Sequence, residues 1–147
     1  MSTVTAGVFQ DLEWARRGIL ALVADGFEPA VLTLLARESP GAALLIESTL
    51  NHVPERVDLT RLGTVVAHGP LVAVLQGSDG ALTQSGLAAT IRRAGFQAHD
   101  GYIFETLVAK GGVLTAVSHD SRAADALARL HAYGGANAAI GAWTGRV

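Results

Sequence analysis

We single out four side chains in this sequence as candidates for binding a ligand or for acid–base chemistry. They are His68, Glu105, His119 and Asp120. His119 and Asp120 are adjacent, and an imidazole beside a carboxylate can supply two ligands to a divalent metal, or a general base with its orienting acid. A second pair of the same kind stands at His99 and Asp100. The two pairs are therefore the first places to look for chemistry.

The positions of the two pairs also have a purely structural interpretation. Each pair precedes a predicted helix, where an aspartate carboxylate can accept hydrogen bonds from the free N–H groups of the first turn. We therefore interpret Asp100 and Asp120 as helix N-caps whose neighbours happen to be histidines. The sequence has no HExxH metal motif, no GxSxG nucleophile motif and no glycine-rich phosphate loop.

Glu105 and His68 each have two interpretations as well. Glu105 lies in an apolar helix, where a half-buried carboxylate would have a raised pKa. We favour an exposed side chain or one bonded to a backbone end, because buried unpaired acids are rare. His68, in Ala-His-Gly-Pro, can line a pocket beside a tight turn or be a structural histidine. We assign no catalytic residue, no metal site and no cofactor, and keep the four side chains as candidate ligand-binding residues.

The composition limits the possible partners. The chain has 147 residues, enough for one domain with a real core, and a net charge of −2, which provides no basic surface for nucleic acid. It has no cysteine, so there is no disulfide framework and no thiol nucleophile. Half of the residues (50%) are hydrophobic and only 16% are charged, so we expect some apolar surface to be hidden in a homodimer or larger oligomer.

The sequence also bears on location. The N-terminal residues 1–11 have no basic region leading into an apolar stretch, so we expect no signal peptide. The longest uncharged run in the middle, residues 62–78, contains a histidine, a proline and a glutamine and falls short of the roughly 20 apolar residues of a membrane span. We expect a soluble, cytoplasmic protein.

Two similar strand–helix–strand units are predicted at the two ends of the chain, and the second contains His119 and Asp120. The first comprises a strand at 4–9, a helix from 12 to 25 capped by Asp11 and ended by Gly26, and a strand at 30–36. The second comprises a strand at 113–117, a helix capped by Asp120 or Ser121 and ended by Gly134-Gly135, and a strand at 138–144. The interval from Asp11 to Gly26 equals that from Asp120 to Gly135.

The segment between the two units, from about 40 to 110, is predicted as a helical insertion. We expect helices at 41–50, 82–94 and 102–110, a polar connector at 52–61, and a short strand at 63–67 followed by a helical turn from Pro70. Two β-α-β units on one sheet predict an α+β, ferredoxin-like fold with a mainly antiparallel sheet. The whole chain, 1–147, is expected to form one domain.

The order of these segments resembles the bacterial general stress protein family, which includes the heat-induced stress proteins and has no known biochemical function. The positions that carry the resemblance are Gly69, Pro70, Leu71, Phe104, Glu105, Val108, Gly111 and Gly112. The resemblance covers most of the chain. The sequence departs from the family at Phe104, where tyrosine is common, and at the polar segment 77–86, which replaces a long Gly/Ala run.

The resemblance implies a stress-associated cytoplasmic protein without an established reaction. We therefore expect a non-enzymatic domain that acts through self-association or by binding a partner or an unknown small ligand. The alternative is a metal-binding protein or small enzyme that uses the His-Asp pairs together with Glu105.

Overall fold

The computed structural model of the protein describes residues 3–119, 123–132 and 142–146. The described strands are β1 (Thr3–Phe9), β2 (Leu32–Arg37), β3 (Glu55–Leu59), β4 (Gly63–His68), β5 (Val113–His119) and β6 (Ala142–Arg146). The described α-helices are α1 (Leu12–Ala24), α2 (Pro40–Leu50), α3 (Pro70–Gln76), α4 (Ala81–Ser85), α5 (Leu87–Thr90), α6 (Ala98–Ala109) and α7 (Ala123–Ala132). None of these helices combines the length and the apolar character needed to cross a bilayer.

The strands form one sheet in the order β3-β4-β2-β5-β1-β6. Every adjacent pair is antiparallel. β1 pairs with β5 along its whole length, from Thr3 opposite His119 to Phe9 opposite Val113, and pairs with β6 on its other side. The structure therefore confirms the predicted α+β class with an antiparallel sheet.

Helices cover both faces of the sheet, because the strands send alternate side chains into two apolar clusters. The first cluster, which we call the α6 face, joins Val4, Ala6 and Val8 of β1 to side chains of α3 to α6. The second, the α1 face, joins residues such as Leu32 and Leu34 of β2 to side chains of α1, α2 and α7. The inner strands are therefore buried on both sides, which explains why hydrophobic residues predominate in their sequences without a period-two alternation.

The first predicted unit, residues 4–36, contains β1, α1 and β2. Asp11 adopts an extended backbone, and its carboxylate accepts a hydrogen bond from Trp14 N–H at 2.9 Å, which makes it the N-cap of α1. Gly26, at φ +94°, turns the chain after the helix. A 3-10 turn at Pro29–Val31 occupies the predicted start of the second strand, so β2 begins at Leu32.

The middle segment contributes two strands as well as helices, so its description as a helical insertion is incomplete. The predicted polar connector at 52–61 contains the strand β3. Val57 and Leu59 are buried, whereas the alternate residues Arg56 and Asp58 are exposed, because β3 lies at the end of the sheet with one side facing solvent. Apolar and charged residues alternate along β3, which is typical of a strand with one buried face. The many charged residues of the segment made this alternation hard to recognise in the sequence.

The helix predicted at 82–94 is broken. It is divided into α4, α5 and a 3-10 turn at Ile91–Ala94, with the break at Gly86, whose φ is +91°. This left-handed backbone is accessible to glycine at little cost and cannot continue an α-helix. The break redirects the chain so that Leu82, Leu87 and Ile91 are all buried in the α6 face.

The last unit, predicted from 113 onwards, contains β5, α7 and β6. The described strand β6 runs from Ala142 to Arg146, within and just beyond the strand predicted at 138–144, whose residues 138–141 lie outside the described residues. The predicted caps Asp120 and Ser121, and the predicted glycine stop at 134–135, lie outside the described residues.

The junction between β4 and α3 is the tightest connection near the candidate site. Gly69, at φ +128°, joins the two elements against β2. The buried Thr33 of β2 accepts a hydrogen bond from Leu71 N–H at 3.0 Å through its Oγ1 atom. A side chain 38 residues away in sequence thus satisfies a free N–H group in the first turn of α3.

Candidate functional site

Glu105 is a buried carboxylate that caps a neighbouring helix. It is 7% exposed, and its Oε2 atom accepts a hydrogen bond from Ala88 N–H at 3.1 Å. Ala88 is the second residue of α5, the helix that begins after the break at Gly86. The carboxylate therefore satisfies a donor that the short helix leaves free at its N-terminus. This is the backbone-bonding role that we favoured from the sequence.

The second oxygen of Glu105 faces a cation. Oε1 lies 3.9 Å from Nε of Arg61, whose side chain is largely exposed. One oxygen is thus engaged by a backbone donor and the other lies near a guanidinium group, an arrangement that compensates a buried negative charge. Glu105 links α6 to α5 and to the loop after β3, and this arrangement is that of a structural carboxylate.

His68 is the last residue of β4 and stacks on a second histidine. Its ring centroid lies 4.4 Å from that of His52, with 22° between the ring planes. His52 is brought there by Asn51, which ends α2 in the left-handed conformation at φ +59°. Partial burial lowers the pKa of His68 below its ordinary value, the neighbouring His52 lowers it further, and Glu55 acts in the opposite direction.

We expect the protein to become less stable as the pH falls through the folded-state pKa of His68. Because that pKa lies below the unfolded value near 6.5, the contribution of neutral His68 to stability is fully present above the unfolded value. It is lost progressively as the pH drops through the lower folded-state value. Urea unfolding at a series of pH values from about 8 to 5 measures the effect.

The matched control for this titration is His68→Gln, which keeps the other four histidines. The variant should show a flatter dependence of the unfolding free energy on pH than the wild-type protein. An identical dependence in both proteins would assign the effect to other groups and contradict the prediction.

The two His-Asp pairs have different outcomes. His119 is the last residue of β5, and Asp120 lies outside the described residues, so its capping role stays a prediction. Asp100 is not the N-cap of its helix: it is the third residue of α6, and its Oδ2 atom accepts a hydrogen bond from Gln97 N–H at 3.0 Å. The predicted cap was misplaced because α6 begins at Ala98, earlier than expected. The adjacent His99 Nε2 lies 3.3 Å from Asp100 Oδ1.

The fold does not bring His68 and His119 together. β2 separates β4 from β5, and Leu34 lies opposite both His68 and Thr115, which is four residues before His119. Strand spacing and rise place the two histidine Cα atoms about 16 Å apart, too far for both imidazoles to bind one metal ion. Within residues 3–119, 123–132 and 142–146, no three histidine, aspartate or glutamate side chains are grouped to hold a metal.

The surface of the described residues has two depressions. One lies away from the candidate residues, and the other lies next to His68. An apolar groove between α1 and α2 has a volume of about 170 Å³ and is lined by Leu12, Glu13, Arg16, Gly41, Leu44, Leu45 and Ser48. A crevice of about 230 Å³ beside β3 and α3 is lined by Glu55, Gly69, Val72, Ala73, Gln76 and Gly77. Both are smaller than the roughly 300–1,000 Å³ of small-molecule sites, which favours contact with single side chains of a protein.

Sequence reasoning missed Leu44, the large exposed apolar residue of the groove. Its side chain is 63% exposed, although it lies among the apolar residues at 42–46 of α2. A helix buries only one stripe of its surface, so a continuous apolar run must place at least one side chain in solvent. Leu44 and Leu45 are consecutive, and Leu45 is the one that enters the core.

Comparisons with protein-family models, with curated proteins and with solved structures found no match for this chain.

Proposed function

We propose that the protein is a non-enzymatic, stress-associated domain that acts by self-association. The observation that carries the proposal is the surface formed by α1 and α2, where the exposed Leu44 stands beside an apolar groove. We call this the α1–α2 surface. Exposed leucines are common singly, but a large exposed side chain next to a depression lined by Leu12 and Leu45 is typical of a contact site.

The α1–α2 surface has a shape that suits a second copy of the same chain. A two-fold dimer needs a patch that is complementary to itself. Leu44 supplies a projecting apolar side chain and the neighbouring groove supplies a recess, so two copies related by a two-fold axis can each insert Leu44 into the groove of the other. The volume of about 170 Å³ suits one such side chain.

The charges at the margin of the α1–α2 surface support the same partner. The Glu13 carboxylate accepts hydrogen bonds from Arg16 at 2.7 Å and from Arg17 at 3.2 Å. The margin thus carries both signs, and a second copy meets neither a wholly basic nor a wholly acidic rim. Leu20, which is 43% exposed, lies two helical turns after Leu12 and is a second large exposed apolar side chain of this helix pair.

The stress association and the cytoplasmic location rest on the resemblance to the general stress protein family. Gly69 and Glu105, two of the positions that carry the resemblance, occupy tight junctions of the fold. Because these two residues have structural roles, they support the view that the resemblance reflects a common fold.

We further infer that the centre of the sheet is of the ferredoxin-like type. The order β6-β1-β5-β2 supports this inference, because it interleaves the strands of two β-α-β units in one antiparallel sheet. The contact between α1 and α7, which pack on the same face, also supports it. β4 and then β3 extend this four-stranded sheet on the side of β2.

Replacement of Leu44 by lysine is expected to reduce the weight-average mass of the protein in sedimentation velocity. The lysine charge would have to be desolvated in the groove of the second copy, which disfavours association, whereas the side chain is already in solvent in the single chain. The stability of the fold should change little.

The control is Tyr102→Lys, which alters another exposed apolar residue, on α6 at the opposite face of the sheet. This variant should sediment as the wild-type protein does. A wild-type protein that is monomeric at micromolar concentration, or a Leu44→Lys variant with unchanged mass, would contradict the proposed function.

A further inference from the structure

We propose that the outer edge of β3 is a second surface for self-association, on which β3 of one copy pairs antiparallel with β3 of another and joins the two sheets. β3 stands at the end of the strand order, with β4 as its one neighbour among the described strands. The outer side of such a strand presents unpaired N–H and C=O groups. This inference does not rest on the α1–α2 surface, which lies elsewhere on the fold.

The charges of β3 are complementary to a second copy of β3. Arg56 and Asp58 are exposed and lie on the same side of the strand, one residue on each side of Val57. A two-fold axis through Val57 would place Arg56 of each copy directly opposite Asp58 of the other. Unlike charges directly opposite one another stabilise an antiparallel strand pair, and this dimer has two such pairs.

Other registers are disfavoured by the same residues. Directly opposite residues of an antiparallel pair point to the same face of the sheet. A two-fold axis perpendicular to the sheet must therefore place one residue directly opposite the same residue of the second copy. An axis at Arg56 opposes two arginines, and an axis at Asp58 opposes two aspartates. Charges on an edge strand usually prevent pairing, and here they disfavour these registers while the one centred on Val57 pairs all five residues of β3.

The existing contacts of these side chains are compatible with the dimer. Arg56 Nε lies 2.8 Å from Glu38 Oε2, and the arginine side chain is 75% exposed. Because a guanidinium group has five N–H donors, this ion pair orients Arg56 and leaves donors for a second carboxylate. Asp58 Oδ1 accepts a hydrogen bond from Thr64 at 2.6 Å, which holds the carboxylate on the same face of the sheet.

Charge reversal tests the register directly, and it is done in the full-length Leu44→Lys protein so that the α1–α2 surface does not contribute. The Leu44→Lys protein should still dimerise in a concentration-dependent manner. Added Arg56→Asp opposes aspartates, and added Asp58→Arg opposes arginines, so each should weaken dimerisation by roughly tenfold or more in sedimentation equilibrium. An equimolar mixture of the two variants, or the Arg56→Asp/Asp58→Arg double reversal, should restore it.

A cysteine experiment provides a second readout that does not depend on charge. The chain has no cysteine of its own, so introduced thiols have no native competitor. A mixture of Arg56→Cys and Asp58→Cys should form a disulfide-linked heterodimer under mild oxidation, because directly opposite residues have Cα atoms about 4.5–5.5 Å apart. Each variant alone should cross-link far more slowly, since its two thiols lie one diagonal step apart.

Restoration of dimers in the mixed charge variants, together with preferential heterodimer cross-linking, supports the β3 edge. A monomeric Leu44→Lys protein at all soluble concentrations overturns it, as does equal cross-linking in the mixed and unmixed cysteine samples. If Leu44→Lys instead leaves the wild-type mass unchanged while the β3 variants lower it, the α1–α2 surface fails and the β3 edge stands.

Discussion

Replacement of Gly69 by alanine is expected to lower the free energy of unfolding by about 3 kcal/mol or more. A Cβ atom at this position would lie 2.5 Å from Thr33 Cα and closer still to Leu32 O and Thr33 Oγ1. These atoms belong largely to the backbone of β2, which cannot move aside as a flexible side chain can. The φ of +128° adds strain of its own, since L-residues with a side chain rarely adopt it.

The matched control is Gly63→Ala. Gly63 also has a positive φ, of +75°, but a Cβ there meets no atom within 4 Å. This variant should lose only about 1 kcal/mol, the cost of the left-handed backbone for an L-residue. Urea unfolding of both variants separates the effect of steric overlap from that of backbone strain. An equal loss of unfolding free energy in the two variants would show that the overlap with β2 does not destabilise the protein and would contradict the prediction.

Replacement of Glu105 by alanine is expected to destabilise the protein by about 2 kcal/mol. The change leaves Ala88 N–H without its acceptor at the start of α5 and opens space among buried side chains of the α6 face. An unsatisfied donor loses its bond to the protein without regaining one to water, which is why the loss exceeds that of an ordinary surface hydrogen bond. Thermal and urea unfolding measure the effect.

Glu105→Gln tests whether the acceptor or the charge matters more. The amide oxygen can still accept the hydrogen bond from Ala88, so this variant should keep most of the stability that alanine loses. Glu13→Ala is the exposed comparison, because Glu13 contacts Arg16 and Arg17 in solvent and its removal should change stability little. Equal stability of Glu105→Ala and wild type would refute the capping role.

The parts of the fold that could be predicted are those with local signals. Asp11 was recognised as an N-cap because its carboxylate bonds a group three residues later, and Gly26 because the left-handed turn follows the helix directly. The antiparallel α+β class followed from the repetition of such a unit at both ends of the chain. Interactions of this range are visible in any single sequence.

The parts that could not be predicted depend on distant residues. The break at Gly86 is completed by Glu105, and the start of α3 is completed by Thr33. Neither partner is near its helix in sequence, so no cap could be recognised at 70 or at 87. The sequence predicts a connector where β3 forms, because an edge strand needs few apolar residues.

The candidate site was predicted in part. Glu105 was identified as a residue of interest, and the interpretation that it bonds a backbone end agrees with its contact to Ala88. The stacking of His68 on His52 could not be anticipated, because it depends on the left-handed turn at Asn51. The exposure of Leu44 was hidden by its apolar neighbours, since composition alone does not tell which leucine of a run faces the core.

The position of β1 in the sheet has a consequence for synthesis of the chain on the ribosome. Among the described strands β1 is made first, yet both of its neighbours, β5 and β6, are made last. Its backbone donors and acceptors therefore obtain their sheet partners only after residues 113–119 have been translated, and the closure of so long a loop is entropically costly. Nascent chains must carry an apolar, unpaired first strand through most of their elongation, during which it can pair wrongly with other chains.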